Sequence, residues 1–142
     1  MSVERVTEAT DEVVATLARL LPQLSASAVP PARDDLAAML DSGALLFVFR
    51  DEADTLVGAL SMGLYVVPTG RKAIVEDVVV DEAARGKGVG EALVRAAQDA
   101  AQAAGLAAIW LTSRSEREAA NRLYRRLGFE QRETNVYVWR PQ

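Results

Sequence analysis

Three glycines and two basic residues stand close together in the middle of the chain. The segment Arg85-Gly86-Lys87-Gly88-Val89-Gly90 follows an apolar stretch, Ala73–Asp81, and precedes an alanine-rich stretch that runs to about Ala104. Glycines let backbone N–H groups approach an anion without an intervening Cβ, and a helix N-terminus adds unpaired donors and a positive dipole end. A strand, a glycine turn and a helix in this order predict a phosphate or pyrophosphate site, to which Arg85 and Lys87 add positive charge.

Proton transfer near such a site would have to use carboxylates, tyrosines or lysines, because the chain contains no histidine and no cysteine. Ser-His-Asp schemes, cysteine nucleophiles, disulfides and thiolate metal sites are therefore excluded. Glu76 and Asp77 interrupt the apolar strand, and strand alternation predicts that they point to opposite faces. We expect one of them to face a ligand cleft. The alternative is a salt bridge to an arginine such as Arg114 or Arg132, since an unpaired buried carboxylate is costly.

Three other interpretations of the glycine turn compete with a cofactor site. A Walker A loop ends in Gly-Lys-Ser/Thr, whereas Gly90 is followed by Glu91 and Ala92, so hydrolysis of a nucleoside triphosphate is excluded. A Rossmann fingerprint belongs to the first βαβ unit and has a different spacing. A plain tight turn without a ligand is the third alternative, and the basic residues among the glycines argue against it.

The hydrophobic pattern along the chain predicts the elements that would position these residues. Before the glycine turn we expect a strand at Val3–Val6, a helix capped by Thr10, a short helix around Leu36–Leu40, and an antiparallel hairpin of Leu45–Phe49 and Thr55–Val67. After it we expect a strand at Ala107–Thr112, a helix opened by a capping box of Ser115 and Glu118 and closed by Gly128, and strands at Phe129–Glu133 and Val136–Trp139. The order β-α-α-β-β-β-α-β-α-β-β predicts one α/β domain over residues 1–142, with a central mixed, twisted sheet flanked by helices.

Composition limits the classes of partner. The 142 residues are half apolar and a quarter charged, with a net charge of −4. Because no basic stripe is present, we expect no nucleic-acid partner. Because no apolar run is long enough to cross a membrane and the N-terminus lacks the apolar core of a signal peptide, we expect no membrane partner and a cytoplasmic location.

At three places the chain resembles the GNAT superfamily of N-acetyltransferases. Arg85-Gly86-Lys87-Gly88-Val89-Gly90 is similar to its Arg/Gln-x-x-Gly-x-Gly/Ala signature. The segment Ile74–Val80 resembles the strand before that signature, and Leu123–Phe129 resembles the Tyr-x-x-x-Gly-Phe element near the C-terminus. The resemblance covers nearly the whole chain and implies acetyl transfer from acetyl-CoA to an acceptor, usually an amine, without a metal.

The resemblance also implies which residues contact acetyl-CoA. The strand backbone at Val78, Val79 and Val80 would pair with the pantetheine arm like an added strand, and one of its N–H groups would polarise the thioester carbonyl. Either Asn121 or Arg117 would make a further contact, because Arg117 stands where many members have asparagine. The pyrophosphate would bind the main-chain N–H groups of Arg85, Gly86, Lys87, Gly88, Val89, Gly90 and Glu91.

Amine attack on a thioester needs a base for the ammonium and an acid for the leaving thiolate. Tyr124 matches the family tyrosine and is our candidate acid; the alternative is a tyrosine that only packs in the core. Glu76 is the candidate base, directly or through water, and Asp77 is the second choice. Both carboxylates would also bind a cationic acceptor.

The acceptor cleft has further candidate residues. Thr112, Ser113 and Arg114, at the end of the next strand, are expected to line it, and the resemblance implies that residues 25–40 form its wall or a lid. A connector that packs one apolar edge is the alternative for that segment.

Two other functions are consistent with the sequence, and the oligomeric state is open. A non-catalytic acyl-CoA-binding regulatory module would need the glycine turn but neither the carboxylates nor the tyrosine. A transferase acting on protein lysines or N-termini is the second alternative. Many members of the family dimerise, and the strand at Val136–Trp139 is an edge that could pair with a second copy.

Overall fold

The computed structural model describes every residue from Met1 to Gln142 and comprises two compact units, residues 1–112 and residues 113–142. The first unit contains five strands and three helices: β1 (Ser2–Arg5), α1 (Asp11–Leu24), α2 (Arg33–Asp41), β2 (Leu45–Arg50), β3 (Leu56–Val67), β4 (Gly70–Val80), α3 (Val89–Ala103) and β5 (Ile109–Leu111). The second unit contains α4 (Glu118–Arg126). The single domain over residues 1–142 stays a prediction.

The five strands form one mixed sheet in the order β1-β2-β3-β4-β5. The first four are antiparallel neighbours, which confirms the predicted hairpin of β2 and β3, and β5 lies parallel to β4. Parallel pairing of β4 and β5 follows from the intervening helix α3, since a crossover returns the chain in the same direction. This pairing spans only Ala73–Val75 on β4 and Ile109–Leu111 on β5.

Each face of the sheet buries apolar side chains under helices. Leu46 and Val48 of β2 belong to a core cluster that also contains residues of α1 and α2. On the opposite face, α3 approaches β3 so closely that a Cβ at Gly58 would lie 2.7 Å from Val89 Cγ1. Only glycine at that position lets the helix that follows the glycine turn pack tightly on the sheet.

The first helix begins as its sequence predicts. The Thr10 hydroxyl accepts a hydrogen bond from the Val13 N–H at 3.2 Å, which satisfies one of the donors left unpaired at a helix start. Pro22 lies inside the last turn, and the helix continues to Leu24.

Arg50, at the end of β2, joins three elements through ion pairs. Its guanidinium donates to Glu4 of β1 at 2.7 Å and to Glu12 of α1 at 2.8 Å, and it lies 3.4 Å from the Asp54 carboxylate in the following turn. Hydrogen bonding to Arg50 lowers the pKa of each glutamate carboxyl group below the usual range. The cluster therefore connects β1 and the start of α1 to the β2–β3 hairpin.

The predicted capping box at Ser115 is wrong. The helix cap is Arg117, without a side-chain bond, and α4 begins at Glu118. The Arg117 N–H donates to the Arg114 carbonyl at 3.1 Å, which closes a turn just before the helix. The Ser115 hydroxyl bonds the Glu116 carboxylate instead, so a local side-chain contact displaces the capping geometry.

The two predicted strands at Phe129–Glu133 and Val136–Trp139 are absent. Residues 129–142 contain neither helix nor strand, and the chain ends with large exposed side chains at Val136, Tyr137, Val138 and Trp139. Aromatic and β-branched residues favour an extended backbone, but a strand forms only where a neighbouring strand satisfies its N–H and C=O groups. The observed order therefore lacks the last two strands that the sequence predicts.

Candidate active site

The glycine turn joins β4 to α3 after a single 3-10 turn at Glu82–Ala84. Gly86 and Gly88 adopt positive φ angles of 77° and 80°, which other residues rarely adopt. Gly88 is the N-cap of α3, so no side chain caps the first N–H groups of that helix. A Cβ at either glycine would meet no atom within 4 Å. The turn therefore presents open space in front of the helix N-terminus, and this geometry suits an anion.

The two basic side chains of the turn differ in their surroundings. The Arg85 guanidinium donates from Nε to the Val80 carbonyl at 3.3 Å, so this side chain folds back on the end of β4. Lys87 is exposed between the two left-handed glycines. Both charges lie within three residues of the helix cap, which supports the prediction of an anion site at this turn.

The C-terminal half of β4 has an open edge beside the turn. The Asp81 N–H donates to the Val57 carbonyl at 2.8 Å, and hydrogen-bonded pairs alternate along an antiparallel ladder. The next bonded pair is therefore Val79 with Ala59, and the peptide groups of Val78 and Val80 point away from β3. Because β5 pairs with β4 only up to Val75, no strand covers those groups.

This ladder corrects one predicted cofactor contact. The backbone of Val79 is turned toward β3 and its side chain is buried, so it does not present donors or acceptors to the open edge. Val78 and Val80 do present backbone donors and acceptors to the open edge, although the Val80 carbonyl also accepts a hydrogen bond from Arg85. Of the three predicted valines, two fit an extended ligand along this edge.

Glu76 and Asp77 lie in a β-bulge. Val78 is paired with Leu60 and Val75 with Met62, so two residues of β4 stand opposite Ser61 alone. Since Val75 and Val78 share one face of the sheet, both intervening carboxylates fall on the other face, which α1 and α2 cover. The expectation that adjacent side chains point to opposite faces is therefore wrong at this pair.

Ser61 holds this bulge through two hydrogen bonds. Its hydroxyl donates to Asp77 Oδ2 at 3.0 Å and accepts from the Asp77 N–H at 3.2 Å. Neither carboxylate forms a salt bridge within the first unit, and both residues are exposed. Sequence reasoning missed Ser61; its signal is the single serine in the apolar run of β3.

Asp77 and Ser61 also line a small cavity between the sheet and the first two helices. The cavity has a volume of about 80 Å³ and an otherwise apolar lining from α1, α2, the sheet and Pro31. The segment predicted as an acceptor-site wall thus contributes residues to a cavity that contains one carboxylate.

In the second unit, Tyr124 is buried on α4 and contacts the Phe129 ring edge-on, with 5.8 Å between the ring centroids. Burial raises the pKa of the Tyr124 phenol above its usual 10.0, and the Arg117 guanidinium offsets part of that rise. The phenol is therefore protonated at neutral pH. Asn121 donates its side-chain N–H to the Arg114 carbonyl at 3.0 Å, so this amide already has a partner.

The sequence matches a family of known proteins over most of its length. Residues 12–129 match the Acetyltransferase (GNAT) family. The chain belongs to the GNAT family. The predicted family is confirmed.

Individual GNAT proteins show similarity at two levels. The chain is 41% identical to the mycothiol acetyltransferase of Renibacterium salmoninarum over 90 residues, which cover 62% of this chain and 26% of that protein. The chain thus spans about a quarter of the length of that relative. An acetyltransferase of Trypanosoma brucei superposes with a TM-score of 0.73 at 25% identity, covering 96% of this chain and 99% of the other.

The GNAT fold itself is shared with more distant structures. An aminoglycoside acetyltransferase from an uncultured soil metagenomic sample, in complex with trehalose, superposes with a TM-score of 0.84 at 20% identity, covering 99% of this chain and 95% of the other. The mixed sheet with flanking helices confirms the predicted α/β fold class. None of the helices is long and apolar enough to cross a membrane.

The predicted GNAT site residues fall into both compact units. Glu76, Asp77, the valines of β4, the glycine turn and Thr112 belong to the first unit, whereas Arg114, Asn121 and Tyr124 belong to the second. Thr112 and Arg114 are exposed. The first unit alone brings together the turn, the open edge of β4, the bulge and the cavity, since all four lie on or beside one strand and its following helix.

Proposed function

We propose that this GNAT enzyme transfers an acetyl group from acetyl-CoA to the primary amine of a small molecule. The observation that carries the proposal is the continuity of the glycine turn with the open edge of β4. The turn supplies left-handed glycines and an uncapped helix start, and the edge supplies the peptide groups of Val78 and Val80. Together they suit a ligand with an anionic end and an extended amide-bearing arm.

Acetyl-CoA has both of these features, and it supplies the activated acyl group. The main-chain N–H groups from Gly86 to Gly90 would hold its pyrophosphate, because the open space at Gly86 and Gly88 leaves the helix N-terminus accessible. Val78 and Val80 would pair with the amides of its arm like an added strand. In this arrangement the thioester would lie along β4, toward the bulge at Glu76 and Asp77.

The bulge supplies the groups that an amine needs. An ammonium acceptor is not a nucleophile until it loses a proton. Of two adjacent carboxylates on one face, one would bind the cation and the other would remove its proton. Asp77, held by Ser61, would bind the cation, and exposed Glu76 would take the proton directly or through water. The amine nitrogen then bonds to the acyl carbon as the carbon–sulfur bond breaks.

Tyr124 would return a proton to the departing thiolate. Two observations support this role: the residue stands in the Tyr-x-x-x-Gly-Phe element, and burial raises the pKa of its phenol, so the proton is present at neutral pH. Arg117 would stabilise the phenolate that remains, since its charge lowers the same pKa. We further propose that the enzyme acts in the cytoplasm.

The test is a panel of amines with acetyl-CoA and a free-thiol readout. Primary alkylamines, diamines, aminosugars, amino acids and a lysine peptide are compared at equal concentration. Release of CoA with a small amine supports the proposal, and mass spectrometry identifies the acetylated nitrogen. Release only with the peptide would replace it by protein acetylation, whereas tight acetyl-CoA binding without release from any amine would favour a regulatory module. A sedimentation experiment on the same sample tests the predicted homodimer.

A further inference from the structure

We infer that the acceptor is a primary amine that carries a short, uncharged alkyl group. This inference rests on the proposed function and names the chemical class of its acceptor. The observation behind it is the cavity at the bulge, which combines one carboxylate with apolar walls. The remaining question is which amines such a cavity admits.

The walls come from α1, α2 and the sheet, which lie apart in the sequence. Leu17 and Leu21 lie on α1, and Leu36 and Met39 lie on α2. Ala59 and Val79 form the floor on the sheet, and both are buried. Eight of the ten lining residues are apolar, so Asp77 and Ser61 contribute the only polar side chains of the lining.

The carboxylate in the lining belongs to an exposed residue and accepts a hydrogen bond from a neighbouring serine. Asp77 Oδ2 accepts a hydrogen bond from the Ser61 hydroxyl at 3.0 Å, and no basic side chain lines the cavity. The negative charge of Asp77 is therefore available to a cation that enters. An alkylammonium satisfies both parts of the lining, with its charge at Asp77 and its carbon chain between α1 and α2.

Size and polarity exclude the larger alternatives. The volume of about 80 Å³ is roughly half of the ~150 Å³ of an apolar cavity that holds benzene, so a sugar ring does not fit. A second ammonium on a diamine would enter apolar surroundings without a counter-ion, which is strongly unfavourable. The lining thus selects against aminosugars and polyamines even though both carry the reactive group.

Two matched pairs of amines test this class, and each pair has equal numbers of non-hydrogen atoms. Propylamine is compared with 2-aminoethanol, in which a hydroxyl replaces the methyl group. Butylamine is compared with 1,3-diaminopropane, in which an ammonium replaces the methyl group. We expect kcat/KM to be about 100-fold lower for each polar member, because a hydrophobic pocket rejects a hydroxyl isostere by about that factor.

A matched pair of variants tests the location. Leu21 lines the cavity, whereas Leu24 packs on the same core from the same helix without lining it. We expect Leu21→Phe to lower kcat/KM for propylamine at least roughly tenfold, as a change of about one methylene does in such pockets. Leu24→Phe should leave that value within about twofold. Met39→Phe provides a second filling variant if Leu21→Phe does not fold.

Each outcome decides a different claim. Polar members that react as well as or better than their alkyl partners would overturn the acceptor class, while acetyl transfer itself would stand. Folded filling variants that keep full activity toward propylamine would overturn the location. No CoA release from any amine, with the melting temperature still raised by acetyl-CoA, would instead refute the proposed function.

Discussion

Substitution of Gly88 tests whether the turn holds a pyrophosphate. Gly88 has φ 80° and ψ 9° and begins α3, and Gly105, just past the other end of the same helix, has φ 71°. A Cβ at either position meets no atom within 4 Å. Gly105→Ala is therefore a matched control for Gly88→Ala, because both carry the same backbone strain and only one adds an atom at the proposed anion site.

The magnitudes separate folding from binding. A left-handed alanine costs roughly 1–2 kcal/mol, so both variants should lose similar stability in the absence of ligand, a few degrees in melting temperature per kcal/mol. Acetyl-CoA at a hundredfold excess over its wild-type Kd stabilises the protein by about 2.7 kcal/mol. A tenfold weaker Kd in Gly88→Ala would lower this gain to about 1.4 kcal/mol, while Gly105→Ala should keep the full gain.

A charged substitution at the same position enlarges the effect. A carboxylate about 4 Å from a phosphate charge repels it by up to roughly 4 kcal/mol at a protein surface, near a thousandfold in Kd. In Gly88→Glu the ligand would then add only about 0.1 kcal/mol at the same concentration.

The assay is thermal unfolding of all four proteins with and without acetyl-CoA, supported by calorimetric Kd values. If Gly88→Glu binds acetyl-CoA as the wild type does, the reasoning from the glycine turn is refuted.

Three further predictions concern other parts of the site and fold. Tyr124→Phe should keep the acetyl-CoA shift in melting temperature and lower kcat roughly 100-fold; unchanged turnover would remove Tyr124 from the acid role. Since its pKa is raised in the folded state, wild-type stability should fall as pH rises above 10, and Tyr124→Phe should lack that fall in urea titrations. Ser61→Ala should raise KM for the amine, with Ser61→Thr restoring it, because the hydroxyl positions Asp77; equal KM in all three proteins would contradict this. Arg50→Met should lower stability at pH 7 and flatten its decline below pH 4.5, because Arg50 lowers the pKa of Glu4 and Glu12; an unchanged urea midpoint at pH 7 and pH 3 would refute it.

Local patterns in the sequence predicted most of the first unit. The Thr10 cap, the β2–β3 hairpin and the succession of strand, glycine turn and helix all depend on residues a few positions apart. The preferences of these residues for helix caps, for alternating faces of a strand and for left-handed turns are local. The structure therefore contains the elements that those preferences predict. The family and its enzyme class followed from the same local motifs around Gly88 and Tyr124.

Predictions from local sequence patterns failed where residues distant in the sequence determine the structure. The segment near Trp139 lacks a neighbouring strand. The alternation at Glu76 and Asp77 failed because the register of β3 and β4 inserts an extra residue there. Neither the absence of a strand near Trp139 nor the bulge is determined by a few consecutive residues.

The sequence by itself predicted an anion-binding turn after a β-strand, and its lack of histidine and cysteine leaves carboxylates, tyrosines and lysines for proton transfer. Only the tertiary structure decided that Ser61 positions Asp77 and that this carboxylate faces an apolar cavity. It also decided that Val79 is bonded to β3 while Val78 and Val80 are not. The physical reason is that residue type and short spacing fix local conformation, whereas strand register and helix packing bring together groups that lie 16 or more positions apart, as Ser61 and Asp77 do.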